Sequence, residues 1–98
     1  MEYIYLLQLR EHVNKEEGVY KIGRTKQTNL KRFQSYPKNS KLYLLISVED
    51  CVSKEKDIIG YFRRKYKQRR DIGLEYFEGD KCKMMEDIMN EKYINKSI

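Results

Sequence analysis

A glutamate falls on the apolar stripe of a helix, and it is the residue whose position most calls for chemistry. Residues 52–68 carry Val52, Ile59, Phe62 and Tyr66 on one helical face, with Ile58 broadening it, and Glu55 lies between Val52 and Ile59 at steps of three and four. A buried unpaired carboxylate is costly, so one on an inward stripe meets a metal, a cation or a cleft. The alternative is a first-turn Glu favoured by the helix dipole and leaning to solvent. A second pair is Arg32 and Tyr36, four apart on a short helix and on a different face from Leu30 and Phe33. Cations gather in two places. One set is Lys21, Arg24, Lys26, Lys31 and Arg32; the other is the run Arg63-Arg64-Lys65-Tyr66-Lys67-Gln68-Arg69-Arg70. Two basic clusters with the acids kept elsewhere favour a polyanionic partner over a solvated face.

Other chemistries are excluded by supply. The single histidine, His12, lies among polar residues and reads as a solvated loop histidine. Cys51 and Cys82 fall short of the four ligands a zinc ribbon needs, and reduced thiols are expected.

These residues must be positioned by one small domain, residues 1–98. The chain is 40% hydrophobic and 37% charged, with nine tyrosines, three phenylalanines and no tryptophan. Lys plus Arg number 21 against 15 acids, a net charge of +6 and a pI near 9.3. The longest uncharged runs, residues 3–9 and 42–48, are far short of the roughly 20 residues of a membrane span. The N-terminus lacks the pattern of a signal peptide, so an intracellular protein without membrane contact is expected.

The apolar pattern predicts strands at 2–9 and 19–24, joined as an antiparallel hairpin through a polar connection at 10–17. Gly23 near the end of the second suggests a close backbone approach. Thr28 or Asn29 is expected to cap a helix that ends at Pro37. Residues 41–48 read as a strand buried on both sides, and 75–77 as a short edge strand. Asp80 is expected to cap a last helix with Cys82, Met85, Ile88, Met89 and Tyr93 inward. The fold class is α+β: a small mixed or antiparallel sheet in β-β-α-β-α-β-α order with helices around it.

Four segments in this order resemble the GIY-YIG endonuclease superfamily. They are Tyr3-Ile4-Tyr5; Tyr20-Lys21-Ile22-Gly23-Arg24-Thr25; Asn29-Leu30-Lys31-Arg32-Phe33-Gln34-Ser35-Tyr36; and Glu55-Lys56-Asp57-Ile58-Ile59. The form YKIGRT with the later GLEYF is most similar to small stand-alone members from phages, large DNA viruses and some bacteria. The resemblance covers residues 2–80 and implies hydrolysis of DNA phosphodiesters dependent on Mg²⁺ or Mn²⁺, on double-stranded or branched DNA with low sequence specificity. It assigns Tyr5 as general base or nucleophile activator, Arg32 to the phosphate charge, Tyr36 to an auxiliary role and Glu55 to the metal. Gly23 would let the substrate backbone approach, and Tyr20, Arg24, Lys26 and Lys31 would bind substrate. On the long helix Arg63, Lys67 and Arg70 share one side at steps of four and three, away from the apolar stripe, and are expected to track a phosphate backbone there. In-line attack builds negative charge on the phosphoryl and leaving oxygens, which a guanidinium fork and a Lewis acid stabilise. A phenol ionises near pH 10, so it serves as a base near neutrality only beside cations.

The chain departs from that pattern where Lys21 takes the place of the YIG tyrosine, with Tyr20 one position earlier on the opposite strand face. Lys21 itself could bind the phosphate or the water. No Asn occurs between Asn39 and Asn90, where many members carry one beyond the Glu. The alternative is therefore a catalytically impaired nucleic-acid-binding module with the same basic groove. A third possibility is a protein-interaction domain using the last helix.

Overall fold

The computed structural model describes residues 1–26 and 31–94, except the side chains of residues 31 and 32. Its elements are strand β1 (Glu2–Gln8), helix α1 (Arg10–Asn14), β2 (Val19–Thr25), a 3-10 helix (Lys31–Ser35), β3 (Lys41–Val48), α2 (Cys51–Lys65), β4 (Lys67–Gln68), β5 (Tyr76–Glu78) and α3 (Lys81–Met89). The strands form one antiparallel sheet in the order β3-β1-β2-β5-β4. The α+β class and the β1–β2 hairpin match expectation. Among the described residues no helix is long and apolar enough to cross a membrane.

Strand alternation divides the sheet into two environments. Ile4, Leu6 and Ile22 face α2 and α3, and with Ile58, Phe62, Phe77, Met84 and Ile88 they form a fully buried core. Each such side chain contributes about 1.5–3 kcal/mol relative to exposure. Tyr5 and Leu7 project from the other face, where the Phe33 ring meets Tyr5 edge-on at 4.8 Å.

Several expectations are corrected. The connection after β1 holds α1, and His12 within it is buried rather than solvated, with neither ring nitrogen hydrogen-bonded. Glu17 and Glu11 stand 3.6 and 3.9 Å from those nitrogens. β3 ends the sheet and is half-buried, not covered on both sides. The 75–77 strand is β5, an interior strand, because a strand that the sequence reading placed in a helix, β4, lies outside it.

Helix α2 starts one residue early and stops three residues early. Asp50 caps it by accepting from the Ser53 amide, and the Cys51 amide donates to the Glu2 carboxylate at 2.9 Å. That phase turns Cys51, Glu55, Ile58 and Phe62 inward and leaves Val52 52% exposed. Tyr66 then turns extended, because its ring packs on Phe62 and its hydroxyl donates to Asp87 at 2.6 Å. Tertiary anchoring, not a local breaker, ends the helix. Lys67 therefore lies on β4 and Arg70 in the turn after it, so they share no helical face with Arg63. Asp80 caps α3, and Ile88 and Tyr93 are buried, as expected, but Met84 and Asp87 also face inward while Cys82 and Met89 are exposed. Both cysteines are free.

Candidate active site

Strand β5 pairs with β2 only along Val19–Lys21, and the Ile22 amide donates to the Glu75 carbonyl at 2.9 Å. Beyond that point Gly23–Thr25 has β1 on one side and, among the described residues, no strand on the other. A pocket of about 200 Å³ opens at this bare edge, lined by Tyr5, Lys21, Gly23, Arg24, Glu55 and Glu75. Alternation sends Lys21 and Tyr5 to one sheet face and Arg24 toward α2 on the other, so only an edge site can gather them all.

On the first face Lys21 Nζ donates to the Tyr36 hydroxyl at 2.7 Å, and the Tyr36 and Tyr5 hydroxyls share a hydrogen bond at 2.5 Å. The Lys21 ammonium lies 4.8 Å from the Tyr36 ring centroid and 3.6 Å from Glu75 Oε2. Tyr5 is fully buried, and its hydroxyl is bonded to another side chain, that of Tyr36.

On the second face Arg24 Nη1 donates to Glu55 Oε1 at 2.6 Å. Glu55 is 7% exposed. Burial pushes its carboxyl above the ordinary range, more than the Arg24 hydrogen bond and charge pull it down, and the charge of Glu75 adds to the rise. The inward position expected for this glutamate is correct; its partner is a cation from β2, not solvent.

Glycine 23 sits directly across the β1–β2 ladder from Tyr5. A Cβ here would overlap the Tyr5 ring and hydroxyl. The close approach at this glycine is made by the tyrosine of the same site, and the glycine also lines the pocket.

Of the other expected residues, Tyr36 joins the site through its hydroxyl. Tyr20 does not: it faces the opposite side of β2 and stacks edge-on against Tyr43 at 5.9 Å. Lys26 is exposed and does not line the pocket; its charge works to lower the pKa values of Glu2 and Cys51. Arg63 lines an adjoining groove with Glu55, Gly60, Leu74 and Glu75. Lys67 and Arg70 line neither of these two cavities. The side chains of Lys31 and Arg32 lie outside the described residues. The residue missed was Glu75, whose only signal was its position two residues before Phe77 in an apolar-flanked strand.

Among the described residues, no three His, Cys, Asp or Glu side chains are gathered to hold a metal. Mg²⁺ is often held by one or two carboxylates, with waters and substrate oxygens completing its shell. Glu55 and Glu75, lining one polar pocket, fit such a site.

No curated protein and no solved structure matches the chain. Residues 2–92 match the T5orf172 domain, and the chain belongs to that family.

Proposed function

We propose that the chain is a small divalent-metal-dependent DNA endonuclease of the GIY-YIG kind, hydrolysing phosphodiesters with low sequence specificity. The observation that carries this is the convergence of Tyr5, Lys21, Arg24 and Glu55 on one pocket from both faces of the sheet. Membership of the T5orf172 family, a phage-associated, nuclease-related domain, agrees with it, as does the net charge of +6.

In this scheme Arg24 and Lys21 bind the phosphate and oppose the charge that builds on its oxygens during in-line attack by water. Arg32, carried over from the resemblance, adds a bidentate guanidinium. Tyr5 orients the attacking water or takes its proton. The Tyr36 hydroxyl, held between Lys21 and Tyr5, fixes the phenol and couples it to the ammonium. Glu55 would hold Mg²⁺ or Mn²⁺, and the Lewis acidity of the ion would stabilise charge on the leaving oxygen.

A plasmid-nicking assay tests the proposal. Nicking is expected with Mg²⁺ or Mn²⁺, none with EDTA, and at least about a hundredfold loss in Glu55→Gln, the scale of a removed electrostatic contact to the reacting centre. The Arg24–Glu55 ion pair favours one second reading, a binding module in which the carboxylate serves only to position Arg24. Salt-dependent DNA binding without nicking under any of these conditions would select that module.

A further inference from the structure

The Arg24–Glu55 pair bears on when a cation could enter. Glu55 is buried, and one of its two oxygens is taken by Arg24 at 2.6 Å. The Arg24 side chain is 46% exposed, so part of its five-donor fork faces the pocket mouth. A guanidinium in that position opposes a dication in two ways: it occupies a ligand oxygen and it repels the ion. A phosphodiester offers the same guanidinium two oxygens at once, which is the bidentate partner it binds best. Lys21 differs. It lines the same pocket but contacts Glu75 at 3.6 Å and Tyr36, not Glu55.

We infer that Arg24 is a latch on Glu55: it blocks cation binding in the free protein and is drawn off by the substrate phosphate, so the metal site forms only around a phosphodiester. This rests on the proposed role of Glu55 as the metal ligand. The substrate then chooses the moment at which the cation loads, and the two ligands must strengthen each other by one common factor.

The test reads metal binding, not turnover. Mn²⁺ is titrated into the protein, and paramagnetic broadening of the Glu55, Lys56 and Ile59 amide signals is followed, with and without a phosphorothioate-substituted duplex. For the free protein, Arg24→Gln is expected to bind Mn²⁺ at least about tenfold more tightly than wild type, the scale of one charge-assisted hydrogen bond. Lys56→Gln, which removes equal charge from the groove beside Glu55, should shift affinity much less. The duplex should strengthen Mn²⁺ binding in wild type and have a smaller effect in Arg24→Gln.

Equal affinity of free wild type and Arg24→Gln, or an equal gain in Lys56→Gln, would overturn the latch and leave the metal site standing. Absence of broadening near Glu55 in every protein, with and without duplex, would overturn both the latch and the proposed metal role. Should Arg24→Gln fail to fold, wild type alone decides: Mn²⁺ binding as tight without duplex as with it would rule the latch out.

Discussion

Glu55 is the residue at which position and charge are most opposed. Its carboxyl is raised above the ordinary 4.5, with burial the largest cause. A raised folded-state value means that the folded chain holds the proton more tightly than the unfolded chain. The resulting stability is complete below the unfolded value and is lost as pH rises through the folded one. Compared with Glu55→Gln, wild type should therefore be at its relative best below pH 4.5 and lose ground above it, as measured by urea unfolding at several pH values. A difference running the other way would mean that the Arg24 bond outweighs burial. Gly23 gives a second test at this scale. Gly23→Ala should cost about 1–3 kcal/mol by overpacking against Tyr5. In a Tyr5→Ala background most of that cost should disappear from the thermal unfolding, whereas additive costs would detach the glycine from the ring. Both residues were legible in the sequence, Glu55 by its place on a stripe and Gly23 by its place in a strand. Their partners were not, because strand register decides what faces a glycine and which cation reaches a helix.

At the scale of elements, what failed to be legible was an ending. Residues 63–70 contain good helix formers and no proline or glycine, so local preference continues α2 through them. The chain instead turns at Tyr66, held by Asp87 from α3, whose carboxylate also receives Lys65 Nζ at 3.0 Å. An anchor 21 residues away leaves no local trace. The consequence for the basic run is specific. Arg69 is committed to Asp71 and Glu78 at 2.8 and 3.0 Å, and Lys65 to Asp87, while exposed Arg63 borders the groove that adjoins the pocket. Arg63→Gln should weaken binding to all duplex sequences alike and lower the salt slope by roughly one unit. Arg69→Gln should leave that slope unchanged. Equal slopes for wild type and Arg63→Gln, in fluorescence anisotropy titrations over a range of salt, would remove the groove from the DNA path. By contrast β3 and the Asp80 cap were legible, because their signals are local: an uninterrupted apolar run and a capping residue before a helix.

Across the whole molecule, strand β1 has a neighbour on both sides along Tyr3–Leu7, while β5 holds to β2 by three residues and to β4 by two. The pocket depends on both regions, since Tyr5 comes from β1 and Glu75 from the approach to β5. Two of its polar pairs, Tyr5 with Tyr36 and Arg24 with Glu55, join positions 31 apart in the chain. Hydrogen exchange should therefore be graded, slowest at the β1 amides of Ile4 and Leu6 and faster at Phe77 and Gln68; uniform protection would contradict it. The short β5 ladder also carries a kinetic meaning. Contacts of small sequence separation close first, and those that must draw together distant segments bear a larger entropy of loop closure. The β1–β2 hairpin can thus form early with Tyr5 already against Gly23, while Glu55 and Glu75 arrive only when α2 and the β4–β5 hairpin dock. During refolding the basic strand residues would stand ready before their carboxylates, and the complete pocket would return only with the last phase of assembly.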